Sequence, residues 1–259
     1  MGILNLSPDS FSGDGLSSQY ALPFAKKLIR DGADIIDIGG ESTRPGARQI
    51  SIKEELNRII PIIKSLVNFS KIPISVDTYK SAVAEYALDA GASIINNIKG
   101  VKSEKHLLKM VRNYQAAIVL MHIQGAPTTM QRKIQYKNII SDIIRELKKA
   151  IENCLEIGIK SDKIIIDPGI GFGKSAEDNL KIIHGLDQFQ ALKYPVLIGP
   201  SRKSFIGKIL NKDVGQRLTG TMAALAVSIY KGAHIIRVHD VKDACDIARL
   251  TDAIINEKV

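Results

Sequence analysis

Short apolar runs alternate along the chain with longer amphipathic stretches. Runs at residues 2–6 (GILNL), 34–38 (DIIDI), 72–76 (IPISV), 93–97 (SIINN), 116–121 (AAIVLM), 163–167 (KIIID), 195–199 (PVLIG) and 234–238 (HIIRV) have strand length and β-branched content. Stretches such as IKEELNRIIPIIKSLV, YKSAVAEYALDA and LTGTMAALAVSIY have helical length and period. Eight βα repeats imply a mostly parallel sheet covered by helices. Pro61 would disturb the first of those helices unless a new helical segment begins there. SIKE at 51–54 and SAED at 175–178 read as helix starts, the former as a capping box.

Three segments obey one local rule: DGADIID (31–37), AGASIIN (90–96) and KGAHIIR (231–237). In each, a helix ends at a glycine suited to a left-handed cap, and an apolar run follows. Each run then ends on a polar side chain, Asp37, Asn96 or Arg237, with Asn5, Asp77, His122 and Asp167 in comparable places. In a closed barrel every strand end opens on one mouth, whereas an open sheet concentrates its site at one crevice. Polar strand ends spread over the whole chain predict an α/β fold of the TIM (β/α)8 barrel type, a single domain over residues 1–259.

A chain of 259 residues buries roughly 75% of its unfolded surface, enough for a large core without metals or disulfides. Cys154 and Cys245 stand far apart, with no Cys or His at zinc-site spacing. The chain opens without a basic leader and apolar core, and no apolar run reaches about 18 residues. These features predict a soluble, cytoplasmic protein without a membrane partner. A net charge of +9 suits nucleic acid or small anions; the lysines are scattered through helical segments, which favours local anion sites and no nucleic acid.

The stretch DPGIGFGKS (167–175) imitates a phosphate-binding P-loop, but the glycine required five positions before that of GK[ST] is Pro168. It reads better as a strand end opening on a buried carboxylate, with Lys174 covering the start of a surface helix. Asp77 and Asp167 follow apolar runs, where a desolvated carboxylate needs partners. Either could cap a helix; with Asn96 they suggest acceptors converging on a heterocycle rich in N–H donors. GPSRKSFIG (199–207) places Arg202, Lys203 and two serines after the seventh strand, and the eighth supplies Arg237 and His239. That corner of a barrel often binds phosphate, which points to an anionic leaving group. The polar loops NLSPDSFSGDG and GGESTRPG follow the first two strands and could close over a substrate.

MGILNLSPDSFS, IGGESTRPGA, SVDTYK, LMHIQGAPTTMQ, DPGIGFGK, GPSRKSFIG and GAHIIRVHD, in this order, closely resemble the signatures of the dihydropteroate synthase family. The resemblance covers essentially the whole chain. It implies a TIM barrel, usually a homodimer, that joins 4-aminobenzoate to 6-hydroxymethyl-7,8-dihydropterin diphosphate and releases pyrophosphate with magnesium present. On that resemblance Asp77, Asn96, Asp167 and Lys203 would hold the dihydropterin, with Asp167 on its amino-pyrimidine edge and Lys203 on its carbonyl side. Arg237, His239 and Asn5 would engage the diphosphate, Asn5 would approach Mg2+, and Asp9 would order the first loop. Thr43, Arg44, Pro45, Phe172 and Ser204 would shape the aminobenzoate pocket. Asp77, Lys203, Arg237 and His239 would be the catalytic set.

Two departures accompany the resemblance: FSGDG stands where the family commonly has FSDGG, and the first strand begins at Met1 without the usual short N-terminal hairpin. A folate-dependent methyltransferase acting on a corrinoid protein shares the barrel and its carboxylates but does not call for the cation sets and the STRPG loop. A non-enzymatic pterin-binding protein is the alternative of a different class.

Overall fold

The computed structural model describes residues 1–7, 18–42, 48–125, 130 and 134–258. Its strands are β1 (Gly2–Asn5), β2 (Ile36–Gly39), β3 (Ile74–Asp77), β4 (Ile94–Asn97), β5 (Ala117–Met121), β6 (Ile164–Asp167), β7 (Leu197–Ile198) and β8 (Ile235–Ile236). Between and after them run α1 (Ser18–Arg30), α2 (Ile52–Phe69), α3 (Ser81–Asp89), α4 (Lys105–Asn113), α5 (Ile139–Ile157), α6 (Ala176–His184), α7 (Ser204–Leu210), α8 (Leu218–Tyr230) and α9 (Val241–Asn256).

β1 to β6 pair in chain order, each parallel to the next, and β7 pairs with β8. Single parallel bridges join Ile166 to Val196 and Gly2 to Val238. At those seams Ile166 N–H donates to Pro195 O and Ile3 N–H to Val238 O, both at 2.9 Å. The sheet is therefore a closed TIM barrel, as expected. β7 and β8 are shorter than the apolar runs that announced them. Pro195 has no N–H for the ladder, which trims one end of β7.

Strand alternation sorts the isoleucines into two cores. Ile36, Ile95, Ile118, Ile166, Ile198 and Ile236 pack outward with the helices. Ile35, Ile94, Ala117, Val119, Ile165, Leu197 and Ile235 pack inward as a separate cluster that fills the lower lumen. Each fully buried aliphatic side chain contributes roughly 1.5–3 kcal/mol of transfer free energy. The two cores thus fix which residues of every strand face in.

The repeated caps are present: Gly32, Gly91 and Gly232 all have positive φ, 102°, 106° and 92°. In each the next amide reaches back to the last turn, Ala33 to Leu28 O, Ala92 to Ala87 O and Ala233 to Ser228 O, all at 3.0 or 2.9 Å.

Three local expectations need correction. Pro61 lies inside α2, which continues through it from Ile52 to Phe69. The reciprocal capping box belongs to Ser175 and Asp178 of α6. At α2 Ser51 caps alone, because Glu54 Oε1 is held by Arg58 at 2.6 Å, although Ser51 still accepts from Glu54 N–H at 3.1 Å. Asp37 is the second residue of β2, below its end, so it lies deeper in the barrel than the run DIIDI suggested. Among the described residues no helix is long and apolar enough to cross a membrane.

Candidate functional site

The parity that sends Ile35, Ile94, Ile165 and Ile235 into the lumen also sends Asp37, Asn96, Asp167 and Arg237 there, one pleat higher. Ser75 and Asp77 follow the same rule on β3, since Ile74 and Val76 pack outward. A polar layer therefore caps the apolar plug. Arg237 is its hub: Nε donates to Asp37 Oδ2 at 2.6 Å and Nη2 to Asp77 Oδ2 at 3.1 Å. Asp37, fully buried, also accepts from Ser75 Oγ at 2.5 Å and from Asn96 Nδ2 at 3.1 Å.

Two carboxylates share one guanidinium. Burial pushes the Asp77 carboxyl up to about 7, and the negative charge of Asp37 acts in the same direction against the pull of Arg237. Burial works against the Arg237 charge, but Asp37 and Asp77 outweigh it and raise the pKa above the usual arginine value. Asp77 Oδ1 is buried and has no hydrogen-bond partner among the described residues. An unsatisfied buried acceptor is expensive, and this one belongs to the residue that ends β3, within the polar layer, so it can receive a donor from a ligand.

Across the lumen Asp167 ends β6 and accepts from Gly169 N–H at 2.7 Å. Burial raises its pKa, and the positive charge of Lys203 opposes the shift. Lys203 donates to Ile170 O, and its ammonium stands 4.7 Å from the centroid of the Phe172 ring. Burial lowers the Lys203 pKa to about 8. The loop 168–175 lies so close to the β5 loop that a Cβ on Gly169 would stand 2.0 Å from His122 O and one on Gly173 2.5 Å from Gln124 O. Both glycines also have positive φ. Lys174 does not cover a surface helix as expected; it is 3% exposed and sits between the two loops. His122 likewise turns to Lys174, with Nδ1 3.1 Å from its Nζ.

At the ends of β7 and β8, Ser201 Oγ lies 2.9 Å from His239 Nδ1 and accepts from His239 N–H at 3.2 Å. With the hydroxyl proton given to Nδ1, the ring carries its own proton on Nε2. Burial and the nearby Arg237 and Arg202 push His239 down to about 3, so the imidazole is neutral at physiological pH. Arg202 forks onto Asp240, Nε to Oδ2 at 3.0 Å, and supports this corner from behind. Ser204 opens α7 and is exposed.

Beside β2, Glu41 Oε1 accepts from Tyr79 OH at 2.8 Å, and its Oε2 accepts from Lys80 Nζ at 2.6 Å and Ile50 N–H at 3.1 Å. Lys80 also reaches buried Glu55 at 2.7 Å. This knot ties the descending end of the second βα loop to β3. Thr43, Arg44 and Pro45 within that loop, and Asp9 in the first, lie outside the described residues. The structure thus gathers Asp77, Asn96, Asp167, Lys203, Phe172, Arg237 and His239 at one mouth, with Asn5 at the end of β1 and its Oδ1 3.4 Å from the point where a Cβ on Gly39 would stand. It adds Asp37, Ser75 and Ser201, which the sequence reading did not assign. Strand parity was the signal for Asp37 and Ser75, whereas Ser201 lies past β7 as one of the two serines of GPSRKSFIG.

A sequence profile of the family described as pterin binding enzyme matches residues 1–239. Dihydropteroate synthase of Clostridium beijerinckii is 45% identical over 258 residues, covering 98% of this chain and 93% of that protein. The Yersinia pestis dihydropteroate synthase, solved as a sulfonamide drug complex, superposes with a TM-score of 0.95 at 39% identity, covering 100% of this chain and 94% of that one. Its counterpart from Xanthomonas albilineans with 4-aminobenzoic acid gives 0.90 at 38% identity, covering 98% and 92%. Agreement of sequence and fold over the whole barrel makes the chain a member of the dihydropteroate synthase family of pterin-binding transferases.

Proposed function

We propose the following division of labour for the reaction of this family, in which 4-aminobenzoate displaces diphosphate from 6-hydroxymethyl-7,8-dihydropterin diphosphate to give 7,8-dihydropteroate. Asp167 and Asn96 read the N–H edge of the dihydropterin, Lys203 donates to its carbonyl side, and the orphaned Asp77 Oδ1 accepts from the ring. The observation that carries this reading is the buried Asp77 Oδ1, which has no hydrogen-bond partner among the described residues.

Arg237, which packs beside the pterin next to Asp77, and the neutral His239, as a donor through Nε2, hold the diphosphate. As the bond from methylene to diphosphate breaks, positive charge spreads into the dihydropterin beside Asp77, while the cations hold the departing oxygens. The arylamine then attacks the methylene. It is uncharged at neutral pH, so the site needs no strong general base. Phe172 and Ser204, with Thr43, Arg44 and Pro45, form the aminobenzoate pocket, and Ser204 faces its carboxylate. Bound 4-aminobenzoic acid in the Xanthomonas albilineans protein supports that substrate.

Among the described residues no three His, Cys, Asp or Glu side chains converge as a metal site. The side-chain oxygen of Asn5, at the end of β1, is a hard donor of the kind magnesium takes, and magnesium binds few protein ligands and shares substrate phosphate oxygens. Asn5, with Asp9 nearby in sequence, would hold it, and when bound it neutralises charge on the leaving group. Residues 1–259 form one pterin-binding domain, in keeping with the family match over residues 1–239. Free Cys154 and Cys245 suit a reducing cytoplasm.

Pyrophosphate release tests the reaction directly. With both substrates and magnesium, release and dihydropteroate formation are expected together; each is lost when either substrate is omitted or when chelator is in excess. A folded protein that binds the pterin yet releases nothing would end the proposal.

A second copy of the chain would cover the apolar face that α8 and α9 present, where Val227, Tyr230, Leu250 and Ile254 are exposed. A homodimer through this face should sediment as a monomer when Leu250 and Ile254 are both changed to Glu. An unchanged dimer would place the interface elsewhere.

A further inference from the structure

The lysine of the P-loop look-alike has no role in the chemistry above, yet it is among the most deeply buried charges in the chain. Lys174 Nζ meets three acceptors: Phe172 O at 2.9 Å, His122 Nδ1 at 3.1 Å and His122 O at 3.3 Å. An ammonium has three protons, so none is left for a phosphate. Ser175 N–H, at the start of α6, is also taken, by Asp178 at 3.0 Å. A P-loop role is therefore excluded by geometry as well as by Pro168.

The three contacts have a direction. An ammonium only donates, so His122 Nδ1 accepts and the ring proton sits on Nε2, which faces Glu146 of α5 at 3.3 Å. Lys174 thereby runs a chain of polar contacts from the inside of the β6 loop, through the β5 loop, to the surface of the next helix. The same two loops touch where a Cβ on Gly169 or Gly173 would collide with His122 O or Gln124 O. Tyr136 OH adds a bond to Gly173 O at 3.0 Å. Lys203 holds the neighbouring carbonyl, Ile170 O, from the lumen side.

Phe172 sits between these two lysines. Its carbonyl is fixed by Lys174, and its ring lies against the Lys203 ammonium and beside the apolar patch of Ile98, Met121, Ile123 and Met130. We infer that Lys174 is a positioning residue: a buried strut that clamps the β6 loop to the β5 loop and so holds the Phe172 ring at the aminobenzoate side of the mouth. Burial lowers the Lys174 pKa to about 7, opposed by the charge of Asp167, so the dry gap disfavours the ammonium and the three acceptors compensate for its burial. The inference rests on the assignment of Phe172 to the aminobenzoate pocket.

Steady-state kinetics and pterin binding separate the two ideas. Lys174→Met keeps the apolar stem and removes the donors. It should raise KM for 4-aminobenzoate roughly tenfold while kcat and the Kd for the dihydropterin diphosphate change by less than about threefold. Phe172→Ala should raise the same KM, and the double variant should be no worse than Phe172→Ala, because Lys174 acts through that ring. His122→Gln leaves Lys174 and its two carbonyl contacts in place and should raise the KM roughly threefold, a readout that stands even where Lys174→Met does not fold.

An unchanged KM in Lys174→Met or His122→Gln overturns the strut. So does a parallel rise in the pterin Kd, or a double variant in which the two effects multiply. If Phe172→Ala alone leaves the KM unchanged, the pocket assignment is wrong; if it raises the KM and Lys174→Met does not, the assignment stands and the strut falls.

Discussion

Asp167→Asn should lower kcat/KM for the dihydropterin diphosphate by about 10³-fold, or roughly 4 kcal/mol of transition-state stabilisation. Asp167 is buried, and Gly169 N–H occupies only one of its oxygens, which leaves the other lone pairs for the N–H edge of the pterin. Charge-assisted bonds of this kind contribute about 1.5–3 kcal/mol each. The amide would keep one acceptor and point an NH2 at a donor edge, so the loss combines a missing attraction with an unpaired buried donor. It would also remove the charge that supports protonated Lys203 and Lys174. Calorimetry should show pterin binding falling with kcat/KM. A variant within about tenfold of the parent would mean that Asp167 serves only to hold Gly169.

Much of the fold is legible in the sequence because its signals are local. Ile35 and Ile36 in DIIDI, or Ile235 and Ile236 in HIIRV, announce a strand buried on both faces, and Gly32, Gly91 and Gly232 announce the turns before them. Asp77, Asn96 and Asp167 are legible as site residues because an apolar run leads to each. Asp37 escaped assignment for a long-range reason: its principal partner, Arg237, is 200 residues away, and only barrel closure between β8 and β1 brings them together. Lys174 was misplaced for a local reason. A lysine before an N-capping serine usually points to solvent, but three successive left-handed glycines, Gly169, Gly171 and Gly173, turn this loop inward against the β5 loop. The capping boxes were interchanged because side-chain competition decides them. Glu54 has Arg58 one turn on, whereas Asp178 reaches back to Ser175 N–H.

Asp37→Asn should be the more informative change at the hub, because its main effect is to remove charge. The new amide can still accept from Arg237 and Asn96 through its oxygen, and the Ser75 hydroxyl can turn to accept from its NH2. What disappears is the anion that shares Arg237 with Asp77. Breaking a buried ion pair from one side costs about 3–5 kcal/mol, and the lower end is expected here because Asp77 remains as a counter-ion. Arg237 should then bind Asp77 fully and compete with the pterin for its oxygen, lowering kcat/KM about 100-fold.

The pH dependence carries the sharper signature. In the parent protein Asp77 has a folded-state pKa raised to about 7, so in the free enzyme kcat/KM should fall as the pH drops below that value. Removing the Asp37 charge makes Asp77 easier to ionise, and the acidic limb of the profile should move to lower pH. Stability follows with the opposite sense. A raised folded pKa gives the parent a contribution present below the unfolded carboxylate value and lost as the pH rises through about 7; in Asp37→Asn that loss should shrink. Urea unfolding at several pH values between about 4 and 8 reads the second effect and rate profiles read the first. An acidic limb that stays in place in Asp37→Asn would show that the Asp37 charge does not act on Asp77, alone or through their shared Arg237.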